Sequence, residues 1–541
     1  MALTRLCRLA VAALLVQLSF AQYDPLADFC RRFGQQTAVI DRRLFIDGGQ
    51  INYQQNPTNY TNTYLLYANL DVDNQHMPQE YDNLTKGSQV PSLSGGILWA
   101  DTVNKVLYLY GGESTSSAQP FSLWAYDAIY NQWNQTVSDT SDISPSSYGA
   151  GVAVNDRGVG YYYGGWMSNA TIPNWAGPPI ASSYLLSYDM IQNRWTNITG
   201  PDNTGRAEGV MVYIPASDGG MLVYFGGVET SSGSGNGSFT GVPMSEIHLY
   251  DIANDRWYTQ TATGDIPGMR RRFCAGVTWA QDHSSYNVYL YGGLGMPNNN
   301  SVGYDDVYIL SMPSFTWIKW WSTNQTYPHH SLTCNVIDNS QMIIMGGTFP
   351  NASSTQCDAQ VNYGMHNLNL GKQNEEDAMW YYFLPNVTSY QVPPEITKAV
   401  GGGATGGATL TTPTQGWNSN DLSVYFTRVY AAATRTPTRA IPVLVTNGTS
   451  SNHTSSESHT NVGAIAGGTV GGVVALVAVG VLIFCLRRRR VCTNSAVHRH
   501  ILNPTIHPSA TLLSSTAADP AALAPADADR DAERAKSSER L

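Results

Sequence analysis

Cysteine and histidine are the side chains of this chain whose chemistry could define a site. Between residues 22 and 461 the chain has four cysteines, which are Cys30, Cys274, Cys334 and Cys357. An even number in an oxidising compartment predicts disulfides, and four cysteines allow three pairings. We predict the pair Cys334–Cys357, because these two residues flank one strand-like run and its Gly-Gly. The pair Cys30–Cys274 is then what remains.

The histidines of the same region do not form a recognisable metal motif. They are His76, His248, His283, His329, His330, His366, His453 and His459. No two of them have the spacing of a metal-binding pair, and the sequence has no HExxH motif, nucleophile elbow or phosphate loop. We therefore predict that the chain is not an enzyme and has no catalytic residue, no metal site and no cofactor.

These residues belong to a chain that repeats one short pattern. A run of alternating large residues, Val288–Tyr291, ends at the glycine pair Gly292-Gly293. Further pairs stand at Gly48-Gly49, Gly111-Gly112, Gly164-Gly165, Gly226-Gly227 and Gly346-Gly347. The first glycines of successive pairs are 63, 53, 62, 66 and 54 residues apart. Self-similarity on this scale indicates a repeat architecture.

A second signal follows most of the glycine pairs. A Tyr-Asp dipeptide precedes a Trp at the same offset in three repeats, at Tyr126 and Trp133, Tyr188 and Trp195, and Tyr250 and Trp257. Alternating residues with β-branched and aromatic enrichment favour four strands in each repeat. We expect the glycines to adopt positive φ and the aromatic rings to fill the space between neighbouring sheets.

This combination resembles the kelch repeat, in which a strand ends at Gly-Gly and Tyr-Asp and a Trp follow. The resemblance covers about residues 32–385. It implies an all-β fold, the kelch-type β-propeller, whose sheets are blades around a central channel. Six repeats imply six blades. Residues 386–430 remain, and their strand-like stretch Leu422–Phe426 leaves open a seventh blade or the completion of the first.

The resemblance also implies a ligand-binding site at one mouth of the channel. In intracellular kelch proteins an Arg just before the inner strand can reach that mouth. The matching positions here are Arg32, Arg206, Arg271 and Arg272, whereas repeats two, three and six lack the Arg. Guanidinium groups suit carboxylate or phosphate ligands. Trp166 and Trp175 offer another chemistry, because exposed aromatic rings can stack on sugars.

The two ends of the sequence predict the topology of the chain. Residues 1–21 have the charge and apolar run of a signal peptide, and residues 22–430 form the predicted propeller ectodomain. Residues 431–461 are rich in Ser, Thr and Asn and predict a stalk. Residues 462–486 carry no charge and are long enough for a transmembrane helix. Arg487–Arg490 follows and places residues 487–541, a predicted disordered tail, in the cytoplasm.

Twelve N-glycosylation sequons agree with this topology, because all of them precede the membrane segment. They begin at Asn59, Asn83, Asn134, Asn169, Asn197, Asn236, Asn299, Asn324, Asn351, Asn386, Asn447 and Asn452. Residues 22–486 contain 19 Lys and Arg against 34 Asp and Glu, which argues against nucleic acid as a partner. Two Gly-x-x-x-Gly motifs, Gly467–Gly471 and Gly468–Gly472, would allow a helix-mediated dimer, although small residues are common in membrane helices.

We therefore expect a single-pass protein of the plasma membrane whose propeller binds an extracellular protein or a cell-wall glycan. The layout resembles membrane-anchored cell-surface kelch-repeat proteins of filamentous fungi. Two alternatives stay open. The first is a membrane-tethered copper radical oxidase of the galactose oxidase type, a family that shares kelch-like repeats and cross-links a Tyr ligand to a Cys. The second is a cell-polarity or cytoskeletal scaffold.

Overall fold

The computed structural model of this chain describes residues 23–230, 239–296, 302–322, 327–350 and 355–442. The chain divides into two compact units, Met1–Leu444 and Val445–Leu541, and every described residue belongs to the first unit. Within these described ranges, no helix has the length and apolar character needed to cross a membrane. The predicted signal peptide, the membrane segment 462–486 and the tail 487–541 lie outside the described residues.

Six antiparallel sheets follow one another along the first unit, and we number them as blades 1 to 6. Blade 1 consists of Gln36–Ile40, Arg43–Asp47, Leu65–Asn74 and Met77–Tyr81. Blade 2 consists of Ile97–Asp101, Val106–Tyr110, Trp124–Asp127 and Gln132–Gln135. Blade 3 consists of Ala150–Val154, Val159–Tyr163, Tyr184–Asp189 and Arg194–Thr199. Within each blade, consecutive strands are neighbours, as the alternation of large residues predicted.

The second half of the propeller follows the same plan with one shorter sheet. Blade 4 consists of Val210–Ile214, Met221–Phe225, Glu246–Asp251 and Arg256–Thr261. Blade 5 consists of Cys274–Trp279, Tyr286–Tyr291, Val307–Met312 and Thr316–Trp321, with Thr263–Gly264 paired in parallel to its outer strand. Blade 6 consists of Thr333–Ile337, Gln341–Met345 and Met365–Asn369. A single bridge between Leu368 and Trp380 stands where a fourth strand of blade 6 was expected.

The six blades close into a ring through their inner strands. Each inner strand contacts the inner strands of the two neighbouring blades, and that of blade 1 contacts that of blade 6. The hydroxyl of Thr37 in blade 1 hydrogen-bonds the side chain of Asn335 in blade 6 across this junction, at 2.9 Å. The expected β-propeller is therefore present with six blades in the described chain.

The glycine pairs connect each blade to the next one. The first glycine has φ between 61° and 70° and the second between 76° and 111°, which confirms the expected left-handed conformation. The second glycine donates its N–H to a carbonyl of the following blade, over 2.7 to 2.9 Å. The donor–acceptor pairs are Gly49 and Leu93, Gly112 and Ser146, Gly165 and Arg206, Gly227 and Arg270, Gly293 and His329, and Gly347 and Arg32. A Cβ at Gly164 would lie 2.1 Å from the carbonyl oxygen of Arg206, so a side chain there would prevent this approach.

Aromatic rings of the outer strands fill the space between blades, as predicted. The ring of Trp195 in blade 3 lies 5.9 Å from that of Trp99 in blade 2. Trp257 of blade 4 donates its indole N–H to the carbonyl of Thr199, which ends blade 3, at 2.9 Å. Trp317 donates in the same way to Met244 at 2.8 Å. The rings of Trp257 and Trp317 therefore combine apolar packing with one hydrogen bond to the preceding repeat, whereas the indole N–H of Trp195 has no hydrogen-bond partner in the described chain.

Residues 386–430 form no seventh blade, so that alternative is wrong. They contain two short helices, Pro394–Val400 and Asn420–Tyr425. The first buries Ile396 and Val400 in the cluster between blades 5 and 6. The strand predicted at Leu422–Phe426 is a helix because Leu422, Tyr425 and Phe426 have helical spacing and pack together against blades 4 and 5.

Both predicted disulfide pairings are wrong. Cys30 is bonded to Cys357, and Cys274 is bonded to Cys334. Cys274 and Cys334 lie on the inner strands of blades 5 and 6, which are neighbours in the ring. Cys30 lies just before blade 1 and meets the loop of blade 6 where the ring closes. The two bonds therefore connect blade 6, the blade with three strands, to both of its neighbours, a proximity that sequence spacing does not reveal.

Small β-ribbons stand on the face of the propeller where the glycine pairs lie, which we call the rim face. They are Phe29–Phe33 with Gln50–Tyr53 and Tyr60–Thr61, Trp166–Met167 with Ile180–Ala181, Gly205–Ala207 with Val228–Thr230 and Thr240–Gly241, and Arg270–Arg271 with Leu294–Gly295. In the described chain, the loops after the glycine pairs of blades 2 and 6 form no ribbon. The loop of blade 6 contains the short 3₁₀ helix Gln360–Asn362.

Candidate functional site

A closed circle of backbone hydrogen bonds surrounds the channel on the rim face. Its six members each stand two residues before an inner strand, and each has φ between 52° and 70°. They are Gly34, Gly95, Tyr148, Glu208, Arg272 and Ser331. Each donates its N–H to the carbonyl of the member in the preceding blade, over 2.6 to 2.9 Å, and Gly34 donates to Ser331. We call this circle the rim ring. It holds four non-glycine residues in a conformation that such residues rarely adopt.

The side chains of the rim ring are distributed unevenly. Blades 1 and 2 contribute Gly34 and Gly95, whereas blade 3 contributes Tyr148. A Cβ at Gly95 would lie 2.8 Å from the ring of Tyr148, and a Cβ at Gly34 would lie 3.0 Å from its hydroxyl. The absence of a side chain in blades 1 and 2 therefore gives the Tyr148 ring its place across the channel mouth. Burial raises the pKa of Tyr148 to about 12, so the phenol stays neutral.

Blades 4 and 5 contribute opposite charges that pair with each other. The carboxylate of Glu208 accepts hydrogen bonds from Arg271 at 2.8 Å and from Arg272 at 2.9 Å. It also accepts the indole N–H of Trp166 at 3.0 Å. The Arg272 guanidinium stacks on the Tyr148 ring at 4.0 Å from the centroid. Burial raises the pKa of Glu208, but the two guanidinium groups outweigh burial and the pKa is lowered overall.

Two more titratable groups border this cluster. Burial lowers the pKa of His330 to about 4, with a further contribution from the nearby Arg272 and Arg271. Burial raises the pKa of Glu113, which accepts a hydrogen bond from the Ser147 hydroxyl at 3.4 Å. The mouth is therefore a compact polar surface formed by Tyr148, Glu208, Arg271 and Arg272, which we call the rim cluster. Its charges are largely satisfied by one another.

Only two of the four predicted arginines belong to this cluster. Arg271 and Arg272 retain side-chain exposures of 16% and 26%. Arg32 is 2% exposed and pairs at 2.6 Å with Glu80, which is fully buried. Arg206 is 3% exposed and binds both carboxylate oxygens of Asp202, at 2.7 and 2.9 Å. The expectation that Arg32 and Arg206 reach the channel mouth is therefore wrong.

The reason for this difference is the register of each arginine before its inner strand. Arg32, Arg206 and Arg270 each stand four residues before an inner strand, and all three have buried side chains that form ion pairs. Arg271 and Arg272 stand three and two residues before theirs. Successive residues of an extended segment point to opposite sides, so Arg271 points away from the side of Arg270. Arg272 has φ 54° and leaves the extended conformation, which turns its side chain toward the mouth.

The opposite face of the propeller is covered in part by the chain that follows the last helix. Tyr430 donates its N–H to the carbonyl of Pro215 at 2.8 Å. Arg435 bonds the carbonyl of Asn155 at 2.6 Å and the carboxylate of Asp101 at 3.0 Å. Arg439 binds both oxygens of Asp127, at 2.5 and 2.8 Å. These partners lie at the strand ends furthest from the glycine pairs. Residues 428–442 therefore cross the face opposite the rim face, from blade 4 over blade 3 to blade 2.

A histidine cluster near blade 6 had no signal in the sequence. His366 Nε2 lies 2.8 Å from the carboxylate of Asp358, and His329 Nε2 lies 4.0 Å from the same oxygen. Burial lowers the pKa of His329, whereas Asp358 outweighs burial and raises the pKa of His366. The described residues contain no group of three or more His, Cys, Asp or Glu side chains arranged to hold a metal ion. These side chains stand 37 residues apart in sequence, from 329 to 366, and meet only in the fold.

The rim face also contains a cavity of about 1030 Å³ between blades 1 and 2. Most of its wall comes from the linker between blades 1 and 2 and from the loop that follows the glycine pair of blade 2. This is the place where the ribbon found in four other blades is missing. We call it the blade 2 cavity. Neither Trp166 nor Trp175 lines it.

The predicted glycosylation sites within the described residues all lie on the surface. The side chains of Asn59, Asn83, Asn134, Asn169, Asn197 and Asn386 are exposed. The other six predicted sites, Asn236, Asn299, Asn324, Asn351, Asn447 and Asn452, lie outside the described residues. Accessibility to a glycosylating enzyme is therefore satisfied wherever the structure describes a sequon, and occupancy of these sites stays a prediction.

Comparisons with known proteins agree with this geometry. Residues 34–293 match the family model described as the KLHDC2/KLHL20/DRC7 Kelch-repeats domain. A "Kelch repeat-containing protein" of Arthroderma benhamiae is 28% identical over 529 residues, covering 85% of this chain and 75% of that protein. A chain described as the structure of YjhT matches 64% of this chain and 98% of its own length, with 13% identity and a TM-score of 0.44. The family match, the relative and the six glycine-linked blades agree that residues 34–293 contain kelch repeats.

Proposed function

We propose that this protein is a recognition module of the cell surface, anchored by one membrane helix, whose propeller binds an extracellular protein or a cell-wall glycan on its rim face. The observation that carries this proposal is the contrast between the two faces. Residues 428–442 lie along one face, whereas the other face has both the rim cluster and the blade 2 cavity.

The course of the described chain up to residue 442 supports a tethered arrangement. The last described residues run along the face opposite the rim ring. The contacts of residues 428–442 are therefore made on that face, and these residues leave the rim face free for a partner. The exposed sequon asparagines and two disulfides agree with folding in an oxidising compartment. Membrane insertion, glycosylation and cell-surface display are parts of the proposal.

The two alternatives have less support. A copper radical oxidase of the galactose oxidase type needs a cysteine that is cross-linked to a tyrosine. Cys30, Cys274, Cys334 and Cys357 are all in disulfides, so none of these four is available for that role. A cytoskeletal or polarity scaffold would be located inside the cell, where disulfides are rare.

The proposal is tested with the full chain purified in detergent from a eukaryotic host. The preparation is applied to arrays of cell-wall glycans and of extracellular proteins, and its metal content is measured. We expect a saturable ligand whose binding is reduced by substitutions on the rim face and unaffected by Arg428→Ala on the opposite face. The proposal would be contradicted if the protein retained no ligand on the arrays, or if only substitutions on the opposite face reduced binding. Stoichiometric copper together with peroxide production would favour the oxidase instead.

A second measurement tests the topology. Cells that express the chain with a tag after Leu541 are treated with external protease. We expect the tag to be protected and the propeller to carry N-glycans that an endoglycosidase removes. Loss of the tag from intact cells would contradict the proposed orientation.

A further inference from the structure

The blade 2 cavity exists because one loop does not form a ribbon. Residues 113–120, Glu-Ser-Thr-Ser-Ser-Ala-Gln-Pro, follow the glycine pair of blade 2 and make one isolated bridge, between Ser94 and Glu113. Small polar residues and a proline are poor strand formers. In blades 1, 3, 4 and 5, ribbons occupy the corresponding region. The volume of about 1030 Å³ is therefore space that other repeats fill with their own backbone.

The charges of the cavity wall indicate an uncharged ligand. The charged residues that line it are Asp82 and Lys86. Lys86 is 2% exposed and its ammonium group pairs at 2.6 Å with Asp47, which is fully buried, so it is already neutralised. One exposed carboxylate at the edge, Asp82, is left. The wall therefore has no basic group for an anionic ligand and no acidic cluster for a cation.

Hydroxyl and amide groups are the chemistry that this wall offers. Thr63, Ser88, Gln89 and Ser117 line the cavity and are exposed. None of these four side chains is hydrogen-bonded to another residue within the described part of the chain. They present neutral donors and acceptors to whatever occupies the space. By contrast, the guanidinium groups of the rim cluster are already bound to Glu208.

Aromatic rings complete the wall. Phe121 and Trp124 line the cavity and are half-buried. The Phe121 ring is fixed by edge contacts with the rings of Tyr110 at 5.4 Å and Trp195 at 6.1 Å. A pyranose ring has an apolar C–H face and a periphery of hydroxyl groups. Fixed aromatic faces beside unpaired hydroxyl and amide groups match both parts of such a ring.

Three of the predicted glycosylation sites surround the same cavity. The residues that follow Asn83, Asn134 and Asn169 are Leu84, Gln135 and Ala170, and all three line it. Asn59, Asn197 and Asn386 have no neighbour in the sequence that lines the wall. Any glycan attached at the first three sites would begin at the edge of the cavity. Carbohydrate therefore has two ways to reach this wall, as a free ligand and as part of the chain itself.

We propose that the blade 2 cavity, which Leu84, Gln89, Ser117 and Phe121 line, binds an uncharged oligosaccharide. This inference rests on the proposed recognition function and specifies the ligand class and the location. The volume lies at the upper end of the range of about 300–1,000 Å³ found for small-molecule sites, so the cavity accommodates more than one sugar ring. The ligand is either an external glycan or an N-glycan of the chain.

The test titrates the full chain in detergent with defined probes by calorimetry. The uncharged probes are a β-1,3-glucan hexasaccharide, a chitin hexasaccharide and a free high-mannose N-glycan, and the charged probe is hexagalacturonate. We expect at least one uncharged probe to bind and hexagalacturonate not to bind. Ser117→Trp should fill the cavity and weaken binding at least about tenfold, a loss of about 1.4 kcal/mol. The matched control, Ser322→Trp, changes an exposed serine of blade 5 and should bind like the wild type.

A milder pair of variants tests the polar contacts without added bulk. Gln89→Ala removes one unpaired amide and should weaken binding about fivefold, which corresponds to one hydrogen bond. Gln192→Ala removes an equally exposed amide from a turn of blade 3 and should have no effect. Thermal melting of all four variants should match the wild type, so a loss of binding cannot be attributed to unfolding.

The source of the ligand is distinguished by removing sequons. The triple variant Asn83→Gln, Asn134→Gln, Asn169→Gln is compared with Asn59→Gln, Asn197→Gln, Asn386→Gln. Binding of the probe by both triple variants identifies an external glycan. Binding that appears only in the first variant shows that the chain's own glycans occupy the cavity. Absence of binding in both, or binding that Ser117→Trp does not weaken, overturns the inference. If the Ser117→Trp variant still binds a protein ligand, the proposed function stands and only this inference fails.

Discussion

The rim cluster and the blade 2 cavity lie on the same face of the propeller and differ in how their polar groups are used. In the rim cluster, Glu208 binds two guanidinium groups and an indole, and Tyr148 occupies the space left by two glycines. In the cavity, Ser88, Gln89 and Ser117 have no partner in the described chain. Arginines, which are typical of binding sites, can therefore have all their partners within the protein itself. Serines, which are not, can be the groups that remain free to bind a ligand.

This difference has an energetic basis. A buried charge without a partner costs several kcal/mol, so the rim cluster must be internally paired wherever it is shielded from water. Exposed hydroxyl and amide groups are solvated and cost little when unpaired. The rim cluster therefore contributes to stability, and the cavity is free to contribute to binding. Four predictions test this division, in order of decreasing expected effect on stability.

The largest effect is expected where the backbone of the rim ring is disturbed. Gly227 has φ 79°, and a Cβ there would lie 2.3 Å from the carbonyl oxygen of Ala207 and 2.4 Å from the amide nitrogen of Gly209. Gly227→Ala should lower the free energy of unfolding by about 3–5 kcal/mol, because strain and a backbone clash add. Denaturant unfolding measures this. Gly177 has φ 111° with nothing within 4 Å, so Gly177→Ala isolates the strain and should cost about 1 kcal/mol. Equal costs for the two variants would contradict the clash.

The second effect concerns the charge pairing of the rim cluster. Glu208→Gln leaves Arg271 and Arg272 without their common carboxylate. We expect a loss of about 2–3 kcal/mol, below the value for a fully buried pair because both guanidinium groups retain some exposure. The control is Asp218→Asn, which breaks the pair with Arg428 at exposures of 52% and 47% and should cost less than about 1 kcal/mol. If both variants cost the same, the rim cluster is no more stabilising than an ordinary surface pair.

The third effect is a dependence of stability on pH through His330. Burial, with Arg272 and Arg271 nearby, lowers its pKa to about 4, against about 6.5 in the unfolded chain. Between about pH 4 and about pH 6.5 the unfolded state therefore binds more protons than the folded state. As far as His330 is concerned, the free energy of unfolding has its full value above about pH 6.5 and decreases as the pH falls toward about 4. Between pH 7 and pH 5 the wild type should lose about 1–2 kcal/mol more than His330→Gln. Parallel pH profiles of the two proteins, measured by thermal melting, would disprove the shift.

The smallest effect is expected in the blade 2 cavity. Ser88→Ala and Gln89→Ala remove exposed groups that have no partner in the described chain. Each should change the free energy of unfolding by less than about 0.5 kcal/mol. A cost above about 1 kcal/mol for either variant would show that these groups are structural, and the contrast with the rim cluster would disappear.

The sequence by itself determined the repeat and therefore the class of fold. The glycine pairs, the Tyr-Asp dipeptides and the outer Trp residues could be recognised because each repeat needs them for the same local reason. Gly164 must let the Arg206 carbonyl approach, and Trp317 must reach Met244 in the previous blade. These requirements recur in several blades at similar positions of the repeat, so they appear as a pattern in the sequence.

Only the tertiary structure decided the pairings between distant segments. Cys30 meets Cys357 because the ring closes between its first and last blades, and this closure has no trace in the spacing of the cysteines. The helix Asn420–Tyr425 packs into a gap that blades 4 and 5 create together. Arg32 and Arg271 have the same residue type and similar context, yet register buries the side chain of Arg32 and leaves that of Arg271 partly exposed at the mouth. The blade 2 cavity is likewise defined by a ribbon that blades 1, 3, 4 and 5 form and blade 2 does not.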